Sequence, residues 1–447
     1  MRITVVACAA LLSLSLLAPE PAAGQVISIK AGRLVDPENG TSSPNQVILV
    51  EGGKITAVGT DVEIPESAQV IDLSSATVMP GMFDCHAHMA AFLLKPNPAY
   101  FTGWTKTTPY RVLRGAAHAR EMLEAGFTTI RDLGVGGAHG DTALRLAIEE
   151  GYIPGPTMVN AGRFIGPFGA GSIANPERPG LNEPDHMDAD TRGEIRKAIR
   201  ENIHYGAKVI KVTTDSKPYM YSVEDLRFIV NEAGRAGLKV AAHAVTNEGA
   251  LRAATAGVAS IEHGTEMGPE AQEMAKRNGV YLVATPFTPF LIRQMGIRLS
   301  GMREDENWQD FDAVHVKYVS ALKRNYGAGL RLAFGSDVGV LAEGETRGTL
   351  SISTVDGWIS AGVPPQVIVQ ALTTNAARLV GVDDQRGAIR PGFAADIVAM
   401  LDDPLVDASA VKRVFFVMKE GRVYRHDAES GRAGTRESSV PPSSNFP

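Results

Sequence analysis

Residues 222–244 read SVEDLRFIVNEAGRAGLKVAAHA and place one predicted helix directly before one predicted strand. Ser222 has the position of a helix N-cap, with Asp225 three residues later. Apolar residues then recur at helical spacing, at Leu226, Ile229, Val230 and Ala233. Glycines end this helix, and the apolar run LKVAAHA predicts a short strand that carries His243. A helix followed by a strand is therefore the unit that repeats in this part of the chain.

The same unit recurs in both directions from this stretch, in residues 119–134, 247–264 and 268–286. Repeated helix and strand segments predict a parallel α/β sheet. The strands are short, and no glycine-rich dinucleotide turn follows an early strand. We therefore expect residues 81–384 to form a closed (β/α)₈ TIM barrel rather than an open doubly wound sheet.

The segments on either side of the predicted barrel have a different sequence pattern. Residues 25–80 and 385–427 contain short β-like runs with tight turns, among them Gly52-Gly53 and Glu420-Gly421. We predict that the two segments pair into one small β-sandwich built from both terminal regions.

Composition and charge restrict the class of protein. Of 447 residues, 44% are hydrophobic and 21% are charged, which is typical of a globular protein. A net charge of −6 without a basic stripe argues against a nucleic acid partner. Beyond residues 1–24, Cys85 is the only cysteine, so no internal disulfide is expected.

The two ends of the chain predict segments outside the folded unit. Residues 1–24 carry one positive charge, a short apolar run and small residues before Gln25, which is typical of a cleaved signal peptide. We therefore expect a secreted or periplasmic protein without a membrane span. Residues 428–447 are polar and rich in Ser, Pro and Gly, which predicts a disordered tail.

Several strand-like segments carry, at or near their carboxyl ends, a residue of a type found in metal sites. In a parallel barrel these ends meet at one mouth, where the active site lies. The candidates, in chain order, are His86, His88, Lys211, His243, His263 and Asp337. Lys208 is the alternative to Lys211, but it leaves an extended strand on the opposite face and lies further from the strand's carboxyl end.

This ordered set resembles the amidohydrolase superfamily. The resemblance is carried by MPGMFDCHAHM, GFTTIRDLG, GAKVIKV, SIEHG, FGSD and TTNAARLVGVDDQRGAIRPGFAADIV, and it extends over residues 29–423. Within the superfamily, the chain is similar to the imidazolonepropionase-related branch that includes Xaa-Pro dipeptidase-like metallo-carboxypeptidases. The resemblance implies a distorted (β/α)₈ barrel with a β-sandwich from both termini.

The resemblance also implies a site with two divalent metal ions, by default Zn²⁺. By this likeness, His86, His88 and Asp337 hold the more buried ion, and His243 and His263 hold the more exposed one. A lysine ammonium has no lone pair for a metal, so the resemblance implies that CO₂ converts Lys211 into a carbamate that bridges both ions. Imidazole and carboxylate donors suit Zn²⁺, although Mn²⁺, Co²⁺ or Fe²⁺ would fit them too.

The implied reaction is hydrolysis of an amide C–N bond in a small molecule. A metal-bridging hydroxide would attack the carbonyl, and Asp337 would move the proton to the leaving nitrogen. We expect a dipeptide, an N-acyl amino acid or a related carboxylate-bearing amide as substrate, and a homo-oligomer is common among relatives. Two alternatives stay open: a mononuclear cyclic-amide hydrolase or deaminase resembling imidazolonepropionase, and a barrel that only binds a ligand.

Further residues are candidates for substrate contacts or for structure. His139 follows a predicted barrel strand and could reach a substrate, and Tyr219 and Tyr221 could contact a substrate carboxylate or merely pack. Residues 164–187 are long and rich in Gly and Pro, which predicts a lid over the barrel mouth. Glu262 should point away from its neighbour His263 and form an ion pair or hydrogen bond.

Overall fold

A computed structural model describes residues 25–91, 106–170, 184–215, 219–300 and 311–427. The predicted signal peptide, the predicted disordered tail and the centre of the predicted lid lie outside the described residues. Within the described part of the chain, the helices lack the combination of length and apolarity that crossing a membrane requires.

The described elements alternate between strands and helices in the central part of the chain. The strands are β1 Ile27–Asp36, β2 Thr41–Glu51, β3 Lys54–Gly59, β4 Gln69–Pro80, β5 Met82–Ala87, β6 Phe127–Asp132, β7 Thr157–Asn160, β8 Phe164–Gly166, β9 His186–Asp188, β10 Val209–Thr213, β11 Lys239–Ala244, β12 Ser260–His263, β13 Tyr281–Ala284, β14 Arg331–Phe334, β15 Ile397–Met400, β16 Phe416–Lys419 and β17 Arg422–His426. The α-helices are α1 Thr108–Glu124, α2 Gly140–Glu149, α3 Arg192–His204, α4 Val223–Gly234, α5 Asn247–Ala256, α6 Pro269–Arg277, α7 Pro289–Ser300, α8 Phe311–Gly327, α9 Arg347–Ser353, α10 Val355–Ser360, α11 Pro365–Leu372 and α12 Thr374–Val380. A 3₁₀ helix spans Ala408–Arg413.

The predicted helix after Ser222 and the strand that follows it are both present, as α4 and β11. The Ser222 hydroxyl accepts a hydrogen bond from the backbone N–H of Asp225 at 3.1 Å, as an N-cap does. The apolar face of α4 is buried against the parallel sheet, through Leu226, Ile229 and Ala233. The prediction from this stretch is confirmed, because its capping and its apolar spacing agree with each other.

The central unit consists of parallel strands that follow chain order except that β8, not β9, pairs with β10. One sheet has the order β5-β6-β7, and a second has the order β14-β13-β12-β11-β10-β8-β9. The two sheets approach each other at two seams: Lys208 N–H donates to Asn160 O at 2.7 Å, and Asp337 N–H donates to His86 O at 2.8 Å. This is an α/β fold with the strand order of a TIM barrel, although the described ladders do not join into one closed sheet.

Strands from both terminal regions share a seven-stranded sheet, which we call the accessory sheet, with the order β17-β16-β15-β4-β1-β2-β3. Its two predicted tight turns are present: Glu51 pairs with Lys54, and Lys419 pairs with Arg422. The turn residues Gly52 and Gly53 both have positive φ, as a two-residue hairpin turn of this kind requires. In the described residues the strands form one hydrogen-bonded sheet, so the two-sheet sandwich is not confirmed.

Aromatic packing beneath the last central strand supports the end of β14. Phe334 stacks on Phe127 with ring centroids 6.0 Å apart and packs on Trp358 with centroids 5.9 Å apart. All three rings are buried. This packing fixes the strand end from which Ser336 and Asp337 follow.

Candidate metal centre

Two histidines lie at the carboxyl end of β5 and face the same carboxylate. His86 Nε2 lies 3.4 Å from Asp337 Oδ1, and His88 Nε2 lies 3.2 Å from the same oxygen. The other ring nitrogen of His88 lies 3.0 Å from the carbonyl oxygen of Gly134, which fixes the ring orientation. The pair with one intervening residue therefore presents both Nε2 atoms to one point, as the sequence predicts.

Two further histidines come from neighbouring strands. His243 and His263 lie at the ends of β11 and β12, and His263 Nε2 lies 3.0 Å from His243 Nδ1. The ring of His263 is also 5.0 Å from the ring of His86. The four imidazoles thus form one continuous group across the mouth of the parallel strands.

Asp337 completes this group from the end of β14. Donor atoms of His86, His263 and Asp337 all lie within 4.8 Å of one another, a spacing compatible with a shared ion. His263 has φ of 74° and Asp337 has φ of 48°, a left-handed conformation that non-glycine residues rarely adopt. Strained backbone of this kind clusters at functional sites, because the surrounding fold must hold it in place.

Lys211 lies in the middle of β10 and is 6% exposed. Burial lowers the pKa of its ammonium to about 8, while the nearby carboxylates of Glu262 and Asp337 act in the opposite direction. A lowered pKa increases the fraction of free amine, which is the form that reacts with CO₂. Lys208, the alternative candidate, precedes β10 and is exposed.

The protonation states of the group suit a metal ion. Burial lowers the pKa of His86, lowers that of His243 to about 4 and lowers that of His263 to about 3. These imidazoles are therefore neutral at pH 7 and retain a lone pair for coordination.

Asp337 and His88 shift each other's pKa. Burial disfavours the charged form of His88, but the hydrogen bond and the negative charge of Asp337 outweigh burial and raise its pKa. Burial alone would also raise the pKa of Asp337, but the neighbouring imidazoles hold that pKa well below its ordinary value. The neutral imidazoles of His86, His243 and His263, together with an ionised carboxylate, are a donor set that fits Zn²⁺.

A buried ion pair supports His86 from below. The guanidinium of Arg131 donates to the Cys85 carbonyl at 2.6 Å, to Ser260 Oγ at 2.9 Å and to Glu262 Oε1 at 2.8 Å. The second oxygen of Glu262 lies 2.9 Å from His86 Nδ1, although the two atoms are not aligned as a hydrogen bond. Glu262 thus forms a buried ion pair with Arg131, as its position beside His263 predicts.

Asp84, two residues before His86, is a member of the site that the sequence interpretation missed. Its carboxylate accepts from the backbone N–H groups of His86 and Ser336, each at 3.0 Å, and from the Ser336 hydroxyl. Burial raises the pKa of Asp84 to about 6, against these hydrogen bonds and the charge of Arg347. Asp84 therefore ties β5 to the segment that carries Asp337. The only available signal was an acidic residue in an otherwise apolar strand.

His139 and the two tyrosines lie apart from the imidazole group. The ring of His139 stacks on Tyr205 at 4.4 Å, and its Nε2 is 4.0 Å from Glu201 Oε1. Tyr221 is buried and its hydroxyl donates to the Ala189 carbonyl at 2.6 Å, whereas Tyr219 is 69% exposed. These contacts hold His139 against α3 and give Tyr221 a packing role, while a role of His139, Tyr219 or Tyr221 in substrate contact stays a prediction.

The structure describes the two ends of residues 164–187, the segment predicted to form a lid. Residues Phe164–Gly166 form β8, and Val212 of β10 pairs with Ile165. Residues His186–Asp188 form β9, which pairs with β8. The ends of the segment are therefore part of the parallel sheet, and residues 171–183 lie outside the described residues.

The geometry can now be compared with known proteins. Residues 77–425 match the family model described as "Amidohydrolase family". The chain belongs to the amidohydrolase family. Ochratoxinase from Aspergillus niger is 29% identical over 443 residues, covering 90% of this chain and 87% of that protein. Imidazolonepropionase from Paracoccus denitrificans (strain Pd 1222) is 22% identical over 381 residues, covering 78% and 86%.

A solved structure gives the same result. The crystal structure of a Xaa-Pro dipeptidase with methionine bound in its active site superposes with a TM-score of 0.76 at 26% identity, covering 90% of this chain and 100% of that chain. This amidohydrolase is therefore a hydrolase that acts on C–N amide bonds, with a TIM-barrel-like α/β fold. The family predicted from the ordered ligands and motifs is confirmed.

Proposed function

We propose that this amidohydrolase is an exported enzyme with two divalent metal ions, which cleaves an amide bond in a dipeptide, an N-acyl amino acid or a related carboxylate-bearing amide. The observation that carries the proposal is the group of four imidazoles around the Asp337 carboxylate. Lys211 lies on β10, which pairs directly with β11, the strand that carries His243. Every ligand type that a two-metal site of this family needs is therefore available in this chain.

The residues divide into two sets in this proposal. His86, His88 and Asp337 would hold the more buried ion, His243 and His263 the more exposed one, and carboxylated Lys211 both. Two such ions, by default Zn²⁺, would supply hydroxide near neutral pH and polarise the amide carbonyl. The buried pair of Arg131 and Glu262 would keep His86 oriented.

Asp337 has the properties of the group that moves the proton. Its lowered pKa keeps the carboxylate ionised at neutral pH, so an oxygen of Asp337 can accept the proton of the attacking water. A C–O bond forms at the carbonyl carbon, and the C–N bond breaks. Asp337 then gives the proton to the nitrogen, which leaves as a neutral amine.

The choice of substrate class rests on the relatives. One is named an ochratoxinase and another a Xaa-Pro dipeptidase, and both names agree with an amide or peptide bond as the target. The apolar segment in residues 1–24 supports export. N-terminal sequencing of protein secreted by a bacterial host would test export, because cleavage should leave a new terminus near Gln25.

The experiment joins metal counting with a screen of dipeptides and N-acyl amino acids, on the wild type, Lys211→Ala and the matched control Lys208→Ala. We expect roughly two ions per chain in the wild type and in Lys208→Ala, with loss of metal and of hydrolysis in Lys211→Ala. A fully metallated wild type that hydrolyses no amide in the panel would overturn the proposal.

A second candidate is a mononuclear cyclic-amide hydrolase or deaminase. It is favoured by the similarity to imidazolonepropionase and by the close spacing of donor atoms in His86, His263 and Asp337 alone. One ion per chain, together with full activity of Lys211→Ala, would select this candidate. A barrel that only binds a ligand is disfavoured, since each of the ligand types is present.

A further inference from the structure

An apolar cluster lies above the ends of β13 and β14, and we call it the α8 wall. Its buried members include Phe287 and Leu291 after β13 and Val338 and Val340 after Asp337. Val314 and Tyr318 on α8 pack against these residues and are only partly buried. The α8 wall is separate from the main core, which lies between the helices and the parallel strands.

The α8 wall is attached directly to two of the candidate metal ligands. Thr285 Oγ1 lies 2.9 Å from His263 Nδ1, and Phe287 follows Thr285 by two residues. Val338 follows Asp337 immediately in the chain. Residues of the α8 wall therefore follow directly, along the chain, after residues that belong to the candidate metal centre or contact it.

Two contacts hold α8 against this strand end. His315 Nδ1 lies 2.8 Å from the Phe287 carbonyl oxygen, and the ring of Tyr318 meets the ring of Phe287 edge-on with centroids 5.4 Å apart. Residues 315 and 318 are three positions apart, so they lie on the same face of α8. Burial, and then the negative charge of Asp337, raises the pKa of Tyr318.

Further aromatic side chains are exposed on the loops that follow β8 and β10 and on α7, which follows β13. Phe168 follows β8 and is 70% exposed, Tyr219 follows β10 and is 69% exposed, and Phe290 follows β13 and is 46% exposed. In a parallel barrel these loops surround the same mouth as the metal ligands. Large apolar side chains exposed around a polar site are typical of a binding site for an apolar group.

We propose that the α8 wall, with Tyr318 and Phe290 at its open edge, is a subsite for a bulky apolar group, aromatic or branched aliphatic, of the amide substrate. This inference rests on the proposed function and adds the class of substrate. Phe290 is 46% exposed and Tyr318 is only partly buried. A small amide would leave these two rings partly in water, whereas a large apolar substituent would remove them from water when the substrate binds.

The test compares three amides that differ only in bulk: N-acetylglycine, N-benzoylglycine with a ring on the acyl side, and N-acetylphenylalanine with a ring on the amine side. We expect kcat/KM for at least one of the bulky amides to exceed that for N-acetylglycine by about tenfold or more. The side on which bulk is preferred identifies which part of the substrate meets the wall.

Variants assign the preference to the wall. Tyr318→Ala and Phe290→Ser should each reduce, by about fivefold or more, the ratio of kcat/KM for the preferred bulky amide to kcat/KM for N-acetylglycine. Tyr318→Phe, which retains the ring, should keep the preference. The matched control Tyr152→Ala, at a site that is 78% exposed, should leave the preference unchanged. If Tyr318→Ala fails to fold, Phe290→Ser still tests the proposal.

The outcomes separate this inference from the proposed function. Hydrolysis of all three amides at similar kcat/KM, or an unchanged preference in both wall variants, overturns the inference and leaves the proposed function intact. If the wild type hydrolyses none of them, calorimetry with 3-phenylpropionate and acetate decides. The inference then requires tighter binding of 3-phenylpropionate that Tyr318→Ala weakens, and equal binding of the two overturns it.

Discussion

The ion pair between Arg131 and Glu262 is fully buried and connects three strands beneath the metal ligands. Arg131 is 2% exposed and Glu262 is not exposed at all. Their sequence separation of 131 residues means that only the folded chain brings them together. A charge left in such a place without its partner is costly, because neither water nor another group replaces the lost contact.

Glu262→Gln should therefore lower the free energy of unfolding of the metal-free protein by about 3 kcal/mol. The same variant should weaken zinc binding by roughly 10- to 100-fold, because His86 loses a charged neighbour. Urea unfolding and a zinc titration measure the two effects. Glu266→Gln is the control, since Glu266 forms an exposed pair with Lys317 at 2.9 Å and should cost less than about 1 kcal/mol. Equal effects of both variants would contradict the prediction.

Asp132, at the end of β6, should make stability depend on pH. Burial, and then the charge of Asp141, raises its pKa from 3.8 to about 7. Between these values folding takes up a proton, so the free energy of unfolding falls as the pH rises. Asp132→Asn cannot titrate, and relative to the wild type it should gain a few kcal/mol of stability between about pH 4 and pH 7.

Urea unfolding of metal-free wild type and Asp132→Asn at several pH values in that window measures this difference. Asp61→Asn, at an exposed aspartate, provides the control and should show no such trend. A stability difference between Asp132→Asn and the wild type that stays constant across the window would show that Asp132 does not titrate as described.

The sequence located the candidate metal ligands better than the residues that support them. His86, His88, His243, His263 and Asp337 could be identified from their order and from their positions at strand ends. Asp84 and Ser336 could not, because their hydrogen bond joins residues 252 positions apart and neither belongs to a local pattern. The contacts of His139 and Tyr221 were also invisible, since they depend on how α3 and β9 pack.

Helices and strands with strong local signals were predictable, and α4 is an example. Ser222 caps its N-terminus, and the apolar residues share one buried face. β8 was not predictable, because a three-residue strand next to Gly162 and Gly166 has the composition of a loop. Its pairing with β10 is a tertiary contact that overrides this local preference.

The Ser222 cap gives a direct test of this local contribution. Ser222→Ala should lower the free energy of unfolding by about 1 kcal/mol, because the N–H of Asp225 loses its acceptor. Chemical denaturation measures the change. Ser43→Ala, at an exposed position on β2, should have a smaller effect, and a loss as large as that of Ser222→Ala would argue against the cap.

The complete fold joins two parallel sheets where candidate ligands lie on both sides of a seam. At this seam the Asp337 N–H donates to the His86 carbonyl, and the two side chains also face each other. The parallel α/β arrangement followed from the sequence, whereas the division into two ladders and the single accessory sheet did not, because both depend on pairing between distant segments. An ion held by both residues would bind the folded chain and not the unfolded one.

Zinc should therefore raise the thermal stability of the protein. At a free concentration about 100-fold above its dissociation constant, it should add roughly 2.7 kcal/mol. Calorimetry of chelator-treated protein before and after zinc addition measures this gain. His88→Ala with zinc should show a much smaller gain. A melting temperature that does not respond to zinc in the wild type would contradict metal binding at this seam.

The arrangement of the accessory sheet also has a consequence for how the protein is made. β15 pairs with β4, so β4 has no β15 partner until a segment more than 300 residues later has been synthesised. Asp337 also emerges from the ribosome long after His86. A nascent chain stopped before residue 337 should hold zinc weakly and expose the apolar edge of β4. Chaperone contact during translation is therefore expected to persist until the last strands emerge.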